Sequence, residues 1–359
     1  MESVVVTREF WHGKRVFLSG HTGFKGAWLA LWLTDMGAEV HGYALVPPTN
    51  PNFFEAANLR SSIASSTNGD IRDASLLTRA MQEARPHIVL HLAAQSLVRY
   101  SYISPVETYA VNVMGTVNLL EAVRQTPSVK AVVNVTTDKC YENREWVWPY
   151  RENEALGGFD PYSSSKACSE LVSAAYRGSY LNSAGIHLAS ARAGNVIGGG
   201  DWAAERLVPD CLRALDGGQP LVIRSPLATR PWQHVLEPLS GYLSLAEKLY
   251  CEGRCFAEAW NFGPEDADTR PVQWIVEYLC NQVPGATWHC DPTPQPHEAR
   301  MLKLDSSKAK AQLGWRPRLG LRAALSMTLA WHHAWKQSVD MAAFSAQQIK
   351  EYEALAGQI

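Results

Sequence analysis

Short apolar runs alternate along the first half of the chain with longer stretches in which apolar residues recur every three or four positions. RVFLSG (15–20) reads as a buried strand and FKGAWLALWLTDMG (24–37) as a helix closed by glycine. EVHGYAL (39–45) is a second strand, SSIASSTNGD (61–70) a weak third, and ASLLTRAMQEA (74–84) a helix. HIVLHLAA (87–94) and KAVVNVTT (130–137) are strands flanking a strongly periodic helix, YAVNVMGTVNLLEAVRQ (109–125). A helix over 161–181 and a strand, IHLASARAGNV (186–196), complete the series. Strands alternating with helices predict an α/β protein built on a doubly wound parallel sheet.

After Gly200 the rhythm loosens. Prolines gather at 209, 220, 226 and 231 and again over 284–296, and the strands shorten to LVIR (221–224) and LKLD (302–305). This predicts a smaller α+β domain. AWNFGP (259–264) reads as a return to the main sheet, and the last helices start near Leu321. The expected division is residues 1–200 with 232–263 in the main domain, and 201–231 with 264–359 in a discontinuous second one.

The turn between the first strand and the first helix is GHTGFKG, with glycines at 20, 23 and 26. A tight turn there needs residues without Cβ atoms, and so does close approach of backbone N–H groups to a pyrophosphate. Glycines at positions 1, 4 and 7 between a strand and a helix point to a Rossmann-type dinucleotide site. The second strand ends GYALVPPTN, with neither a carboxylate to clamp a ribose nor an arginine to greet a 2′-phosphate. NAD is therefore favoured over NADP. Asp70, closing the third strand, is a candidate to cap the adenine amino group.

Two further stretches carry chemistry. VVNVTTDKCYEN (132–143) leaves an apolar strand abruptly for Thr136, Thr137, Asp138 and Lys139. Neighbours on one strand point to opposite faces, so the chain must turn there to aim these groups at one ligand. YSSSK places Tyr162 and Lys166 four apart on one helix face. A lysine beside a phenol stabilises the phenolate, which suits Tyr162 to accept a hydroxyl proton during hydride transfer.

The chain has 359 residues and a net charge of −2, with 33 Lys and Arg against 35 Asp and Glu. No overall basic field is present to attract nucleic acid. The seven cysteines are scattered, and Cys251 and Cys255 lack further ligands to complete a metal site. They are expected as reduced thiols, and no metal is expected. No apolar run approaches the ~20 residues needed to span a membrane, and the N-terminus lacks a signal-peptide layout. These features place the protein in the cytoplasm, with no membrane partner.

GHTGFKG, HLAAQS (91–96), NVMGT (112–116), YSSSK and RAGNVIGGGD (192–201) resemble, in order, the landmarks of the extended short-chain dehydrogenases/reductases. Thr137-Asp138 after the fifth strand resembles the nucleotide-sugar 4,6-dehydratases, most of which continue with glutamate. Lys139 in that place, with HTGFKGAWL, TTDKCY and RPWQHV, is similar to the CDP-glucose 4,6-dehydratases. The resemblance implies NAD-dependent dehydration of CDP-glucose to a 4-keto-6-deoxy sugar, feeding deoxysugar synthesis for surface polysaccharide, and a homodimer or homotetramer. It implies catalytic roles for Thr137 near O4, Asp138 as an acid near O6, Lys139 at C5, and Tyr162 with Lys166. It implies cofactor contacts from Gly20, Thr22, Gly23, Phe24, Lys25, Gly26, Asp70, Ile71, Leu92, Ala93, Ala94 and Thr136, together with Tyr162 and Lys166. Substrate contacts are expected from Ser96, Asn195, Arg206, Arg230, His234 and Arg300, with His297 beside the last.

Several readings stay open at this level. Lys139 is either the base at C5 or a charge that stabilises the enolate, because its ordinary pKa of about 10.4 keeps it protonated. Gly198–Gly200 is either a hinge or a ligand loop, and Trp146 and Trp148 lie either in a covering loop or in ordinary packing. A 4-epimerase on the same fold would use Thr137, Tyr162 and NAD but has no work for Asp138 and Lys139. A non-catalytic dinucleotide sensor would not need the Tyr162–Lys166 pair.

Overall fold

A computed structural model of the chain describes residues 6–293 and 299–358. Seven strands form one parallel sheet: β1 (Arg15–Ser19), β2 (Glu39–Ala44), β3 (Ser65–Asn68), β4 (Ile88–His91), β5 (Ala131–Val135), β6 (His187–Ala193) and a late edge strand, Ala259–Phe262. The order is β3-β2-β1-β4-β5-β6 followed by that edge strand. The order reverses between β1 and β4, which opens a crevice at the carboxyl ends of the strands.

The sheet is covered on both faces, so its strands read as apolar runs rather than as alternations. Successive residues nevertheless go to opposite sides. Val16, Leu18 and Val133 pack with Trp28, Trp32, Leu245 and Trp260, while Phe17 and Val132 pack with Leu77, Met81, Leu120 and Leu188. Ala259–Phe262 joins β6 in parallel, as expected of a segment returning to the sheet.

The second half adds two small sheets. β7 (Asn195–Ile197) pairs in parallel with β9 (Thr229–His234), and β9 pairs antiparallel with Thr269–Pro271. β8 (Leu221–Ile223) pairs with Trp288–Cys290. The expected strand over 302–305 does not form: Leu304 makes a single bridge to Tyr150, and with Leu302 it packs beneath that ring. RPWQHV instead supplies most of β9, and all six of its residues are buried. The last helix, Met341–Ala354, packs on the Phe24–Asp35 helix, where Trp32 Nε1 donates to Glu353 Oε1 at 2.8 Å.

The periodic stretch 109–125 is part of a longer helical run that starts at Pro105 and carries a π turn over Ala110–Met114. That turn brings Asn112 against the loop after β4: its Oδ1 accepts from Gln95 N at 2.9 Å, and its Nδ2 donates to Ser165 Oγ at 2.9 Å. π turns of this kind gather at functional sites.

The glycine run 198–200 is closely packed rather than a free hinge, and Gly198 and Gly200 also line the cleft at the carboxyl ends of the strands. A Cβ on Gly199 would lie 2.0 Å from the Trp331 ring, and one on Gly200, where φ is +81°, would meet Phe53 at 2.7 Å. Trp28 Nε1 also donates to the Gly199 carbonyl at 2.8 Å. Gly199→Ala should overpack this junction and cost about 1–3 kcal/mol, read as a lower urea midpoint with an unchanged slope.

Candidate active site

A cleft of about 1660 Å³ runs along the carboxyl edge of the sheet, from the glycine turn past the end of β5 to β8 and β9. Single drug-sized ligands occupy roughly 300–1,000 Å³, so the cleft has room for two extended molecules side by side.

At one end lies the glycine turn. Gly20 has φ +79°, and a Cβ there would sit 2.7 Å from Ala93 N, while one on Gly26 would sit 2.0 Å from Gly20 O. Gly23 caps the Phe24–Asp35 helix without any side-chain hydrogen bond. Uncapped N–H groups and the positive end of the helix dipole therefore face the cleft, a cradle that fits a pyrophosphate. Thr22 and Phe24 line it, and Thr22 Oγ1 donates to Leu45 O at 2.9 Å, closing the turn against β2. Ile71, Leu92, Ala93 and Ala94 line the same end.

Asp70 also lines it, but its carboxylate is engaged by Arg72, whose Nη2 lies 2.6 Å from Oδ2. The hydrogen bonds from Arg72 hold Asp70 below its ordinary pKa. A basic residue thus stands at this sheet edge after all, unnoticed because it follows β3 rather than β2, and Asp70 occupies it.

The reactive stretch begins where β5 ends. Thr137 keeps extended geometry, and Asp138–Cys140 then forms a single 3-10 turn. That turn is the change of direction the apolar-to-polar break demands. Thr137 Oγ1 donates to Asp138 Oδ1 at 3.0 Å, accepts from Lys139 N at 3.3 Å, and shares a hydrogen bond with the Tyr162 phenol. Thr136, Thr137, Asp138, Lys139, Tyr162 and Lys166 all line the cleft.

Burial sets the protonation states. It pushes Asp138 upward against the pull of Lys139, the Thr137 hydroxyl, Arg230 and Lys25. Asp138 Oδ2 is buried with no hydrogen-bond partner among the described residues, so a donor or acceptor on a ligand would complete it. Burial also pushes Tyr162 up to about 12 and pulls Lys166 down to about 8. The stabilisation of the phenolate expected from Lys166 is outweighed by burial. The Lys166 ammonium instead donates to Val135 O at 3.0 Å. Lys25, on the glycine turn, is lowered by burial and by the Arg206 and Lys166 cations to about 7. It couples the cradle to the reactive stretch.

Towards β8 and β9 the cleft is lined by arginines paired with carboxylates. Arg206 Nη1 pairs with Asp201 Oδ2 at 3.0 Å, and its Nη2 donates to Ser96 Oγ at 3.0 Å, so two expected substrate residues meet. Asn195 and Arg230 line the cleft beside them. Arg99 and Arg224, not anticipated from sequence, both pair with Glu205 at the same wall. No local motif marks them.

His234 and Arg300 are not among the described residues lining the cleft. His234 is fully buried, packs edge-on to Trp28, and is drawn down to about 3 by burial. It became a core residue because β9 runs inward. Arg300 is exposed, its N–H donating to Glu145 Oε1 at 2.6 Å. His297 lies outside the described residues. Trp146 stacks on Tyr150 at 5.5 Å, whereas Trp148 is exposed. Among the described residues no group of His, Cys, Asp and Glu could hold a metal ion, and no helix is long and apolar enough to cross a membrane.

A strand–helix turn this tight, facing a buried phenol and ammonium on the next wall, belongs to the extended short-chain dehydrogenases/reductases. Within that class, a family model described as GDP-mannose 4,6 dehydratase matches residues 17–328, and the chain belongs to that family. It is 55% identical over 354 residues to a CDP-glucose 4,6-dehydratase of Salmonella typhimurium (strain LT2), covering 97% of this chain and 98% of that one. It is 28% identical to a dTDP-glucose 4,6-dehydratase of Xanthomonas campestris pv. campestris (strain B100), over 76% of this chain and 80% of that one. In fold it is similar to a dTDP-glucose 4,6-dehydratase from Streptomyces venezuelae solved with NAD bound, with a TM-score of 0.77 at 24% identity over 91% and 99% of the two chains. An epimerase from Methanothermobacter thermautotrophicus shares the fold with a TM-score of 0.79 at 23% identity, over 93% and 97%.

Gly26→Ala should force the helix away from Gly20. Dinucleotide affinity is expected to fall by ~10-fold or more, corresponding to about 1.4 kcal/mol, in a titration of intrinsic tryptophan fluorescence with NAD.

Proposed function

We propose that the protein is a CDP-glucose 4,6-dehydratase, converting CDP-D-glucose to CDP-4-dehydro-6-deoxy-D-glucose and water. The observation that carries this reading is the meeting of Thr137, Asp138 and Lys139 with Tyr162 on one wall of the cleft. The 55% identity to the Salmonella enzyme supports the base and the sugar. A 4-epimerase would leave Asp138, a buried carboxyl with an unpaired oxygen, without a task.

The residues divide the chemistry between them. NAD, which the glycine turn with Tyr162 and Lys166 would hold, would supply a two-electron acceptor and donor for the C4 and C6 positions and, in its oxidised form, a positively charged ring. That charge favours the phenolate that burial alone opposes. Tyr162 takes the O4 proton, and Thr137 orients O4 by hydrogen bonding. The resulting ketone acidifies C5–H. Asp138, shifted by burial toward its protonated form, gives its proton to the departing C6 hydroxyl. Lys139 acts at C5, either taking that proton or stabilising the enolate. Arg206 and Arg230 face the diphosphate, with Arg99 and Arg224 behind them, since guanidinium forks suit phosphate oxygens.

We assign residues 1–200 and 232–263 to dinucleotide binding, and 201–231 and 264–359 to the sugar nucleotide, the last helix lying across the join. Exposed Val106, Met114 and Leu171 on the 105–124 and 161–176 helices suit contact with a second copy. A cytoplasmic place in deoxysugar supply for surface polysaccharide follows from the same reading.

Incubation with CDP-, UDP-, dTDP- and GDP-glucose should yield a keto product from CDP-glucose, and deuterium placed at C4 should reappear in the C6 methyl group. A C4 epimer, or loss of the label to water, would sink the proposal. Asp138→Asn and Lys139→Met should each lower turnover by ~10²-fold or more, and Lys139→Met should slow solvent exchange at C5. Turnover should also fall as pH rises through about 8, where Lys166, lowered by burial, loses its proton.

A further inference from the structure

We propose that the buried Glu170–Arg192 ion pair is a positioning device that clamps the reactive stretch 137–140 at both of its ends. The proposal rests on the reading of that stretch as reactive.

Both partners lie outside the cleft wall, and each side chain is only 3% exposed. Arg192, on β6, grips Glu170 with both arms of its fork, Nε to Oε1 at 2.8 Å and Nη2 to Oε2 at 3.0 Å. Each partner then holds one end of the stretch. Upstream, Thr136 Oγ1 donates to Glu170 Oε1 at 2.5 Å, while Thr136 N donates to Ala191 O at 2.9 Å. Downstream, Arg192 Nη1 donates to the Tyr141 hydroxyl at 2.8 Å, and that hydroxyl donates to Asn261 Oδ1 at 2.7 Å. Arg192 also lies over the Tyr141 ring, 4.9 Å from its centre. The single turn bearing Asp138 and Lys139 is thus suspended between Thr136 and Tyr141.

Stability alone does not call for this arrangement. Removing two charges from water costs several kcal/mol per ion, and apolar pairs of similar volume often replace buried ion pairs without loss. Geometry does call for it, because a displacement of about 1 Å at a reacting group can cost ~100-fold in rate. Glu170 also stands one helical turn after Lys166 and is the chief group opposing burial's pull on that ammonium. Cys140, Lys25 and His91 face the same ammonium from the other elements around it.

The test compares Thr136→Val, which deletes one bond of the clamp, with the double variant Glu170→Met/Arg192→Met, which keeps an apolar filling. Steady-state kinetics are run on the nucleotide sugar that the wild type converts, and hydrogen exchange is followed over residues 136–141. A clamp predicts kcat down by ~10- to 100-fold in Thr136→Val with KM within about twofold. It also predicts faster exchange confined to residues 136–141 in each variant that folds. If the double variant keeps its melting temperature, its kcat should stay low, since filling the volume does not restore the hold. Wild-type kcat and exchange in a folded Thr136→Val would overturn the clamp, as would wild-type kcat in a folded double variant. If the wild type converts no sugar nucleotide, the functional reading fails, and local exchange in Thr136→Val still decides the clamp.

Discussion

Desolvation at the end of one buried strand governs this site. Asp138, Tyr162 and Lys166 are all held away from water where β5 opens into the cleft, and burial raises the two acids and lowers the base. A carboxyl that holds its proton more tightly than an ordinary aspartate and an ammonium that yields its proton near pH 8 are both products of that burial. The parallel sheet makes it possible. Its strands are covered on both faces, and the cleft runs along their carboxyl edge, where the strand order reverses between β1 and β4.

The same constraint explains the neighbouring architecture. Buried charge needs partners, and the molecule supplies them in layers. Lys166 finds a carbonyl of β5, Glu170 finds Arg192, and Arg206 finds Asp201 and Ser96. The wall facing β8 and β9 pairs its arginines with carboxylates, so they are held in place before any anion arrives. Pre-ordered donors lose less side-chain freedom on binding, which favours recognition of a diphosphate. The π turn at Ala110–Met114 serves the same end, turning Asn112 inward to pin the loop that carries Ser96.

Much of the fold was legible in the chain because parallel strands and amphipathic helices leave local periodicities. The glycine turn and the placing of Tyr162 and Lys166 on one helix face were legible for a related reason: each is formed by residues a few positions apart. The departures have a common origin. His234 carried a chemically suitable side chain, but β9 runs through the interior and took it into the core against Trp28. LKLD alternated like a strand, yet found a single bridge and an apolar bed under Tyr150. Gly198–Gly200 left hinge and ligand loop equally open in isolation; Gly199 and Gly200 are pressed against aromatic rings distant in sequence, while Gly198 and Gly200 line the cleft.

The sequence by itself determined the sheet, the tight glycine turn and the run of polar side chains that follows β5, since these depend on spacing within a single strand, turn or helix. Only the tertiary structure decided which charges meet. Arg99, Glu205 and Arg224 converge from separate segments, and Glu170 and Arg192 come from a helix and a strand to hold Thr136 and Tyr141. Protonation states belong to the same category, because burial is a property of the packed interior and no stretch of chain carries it alone.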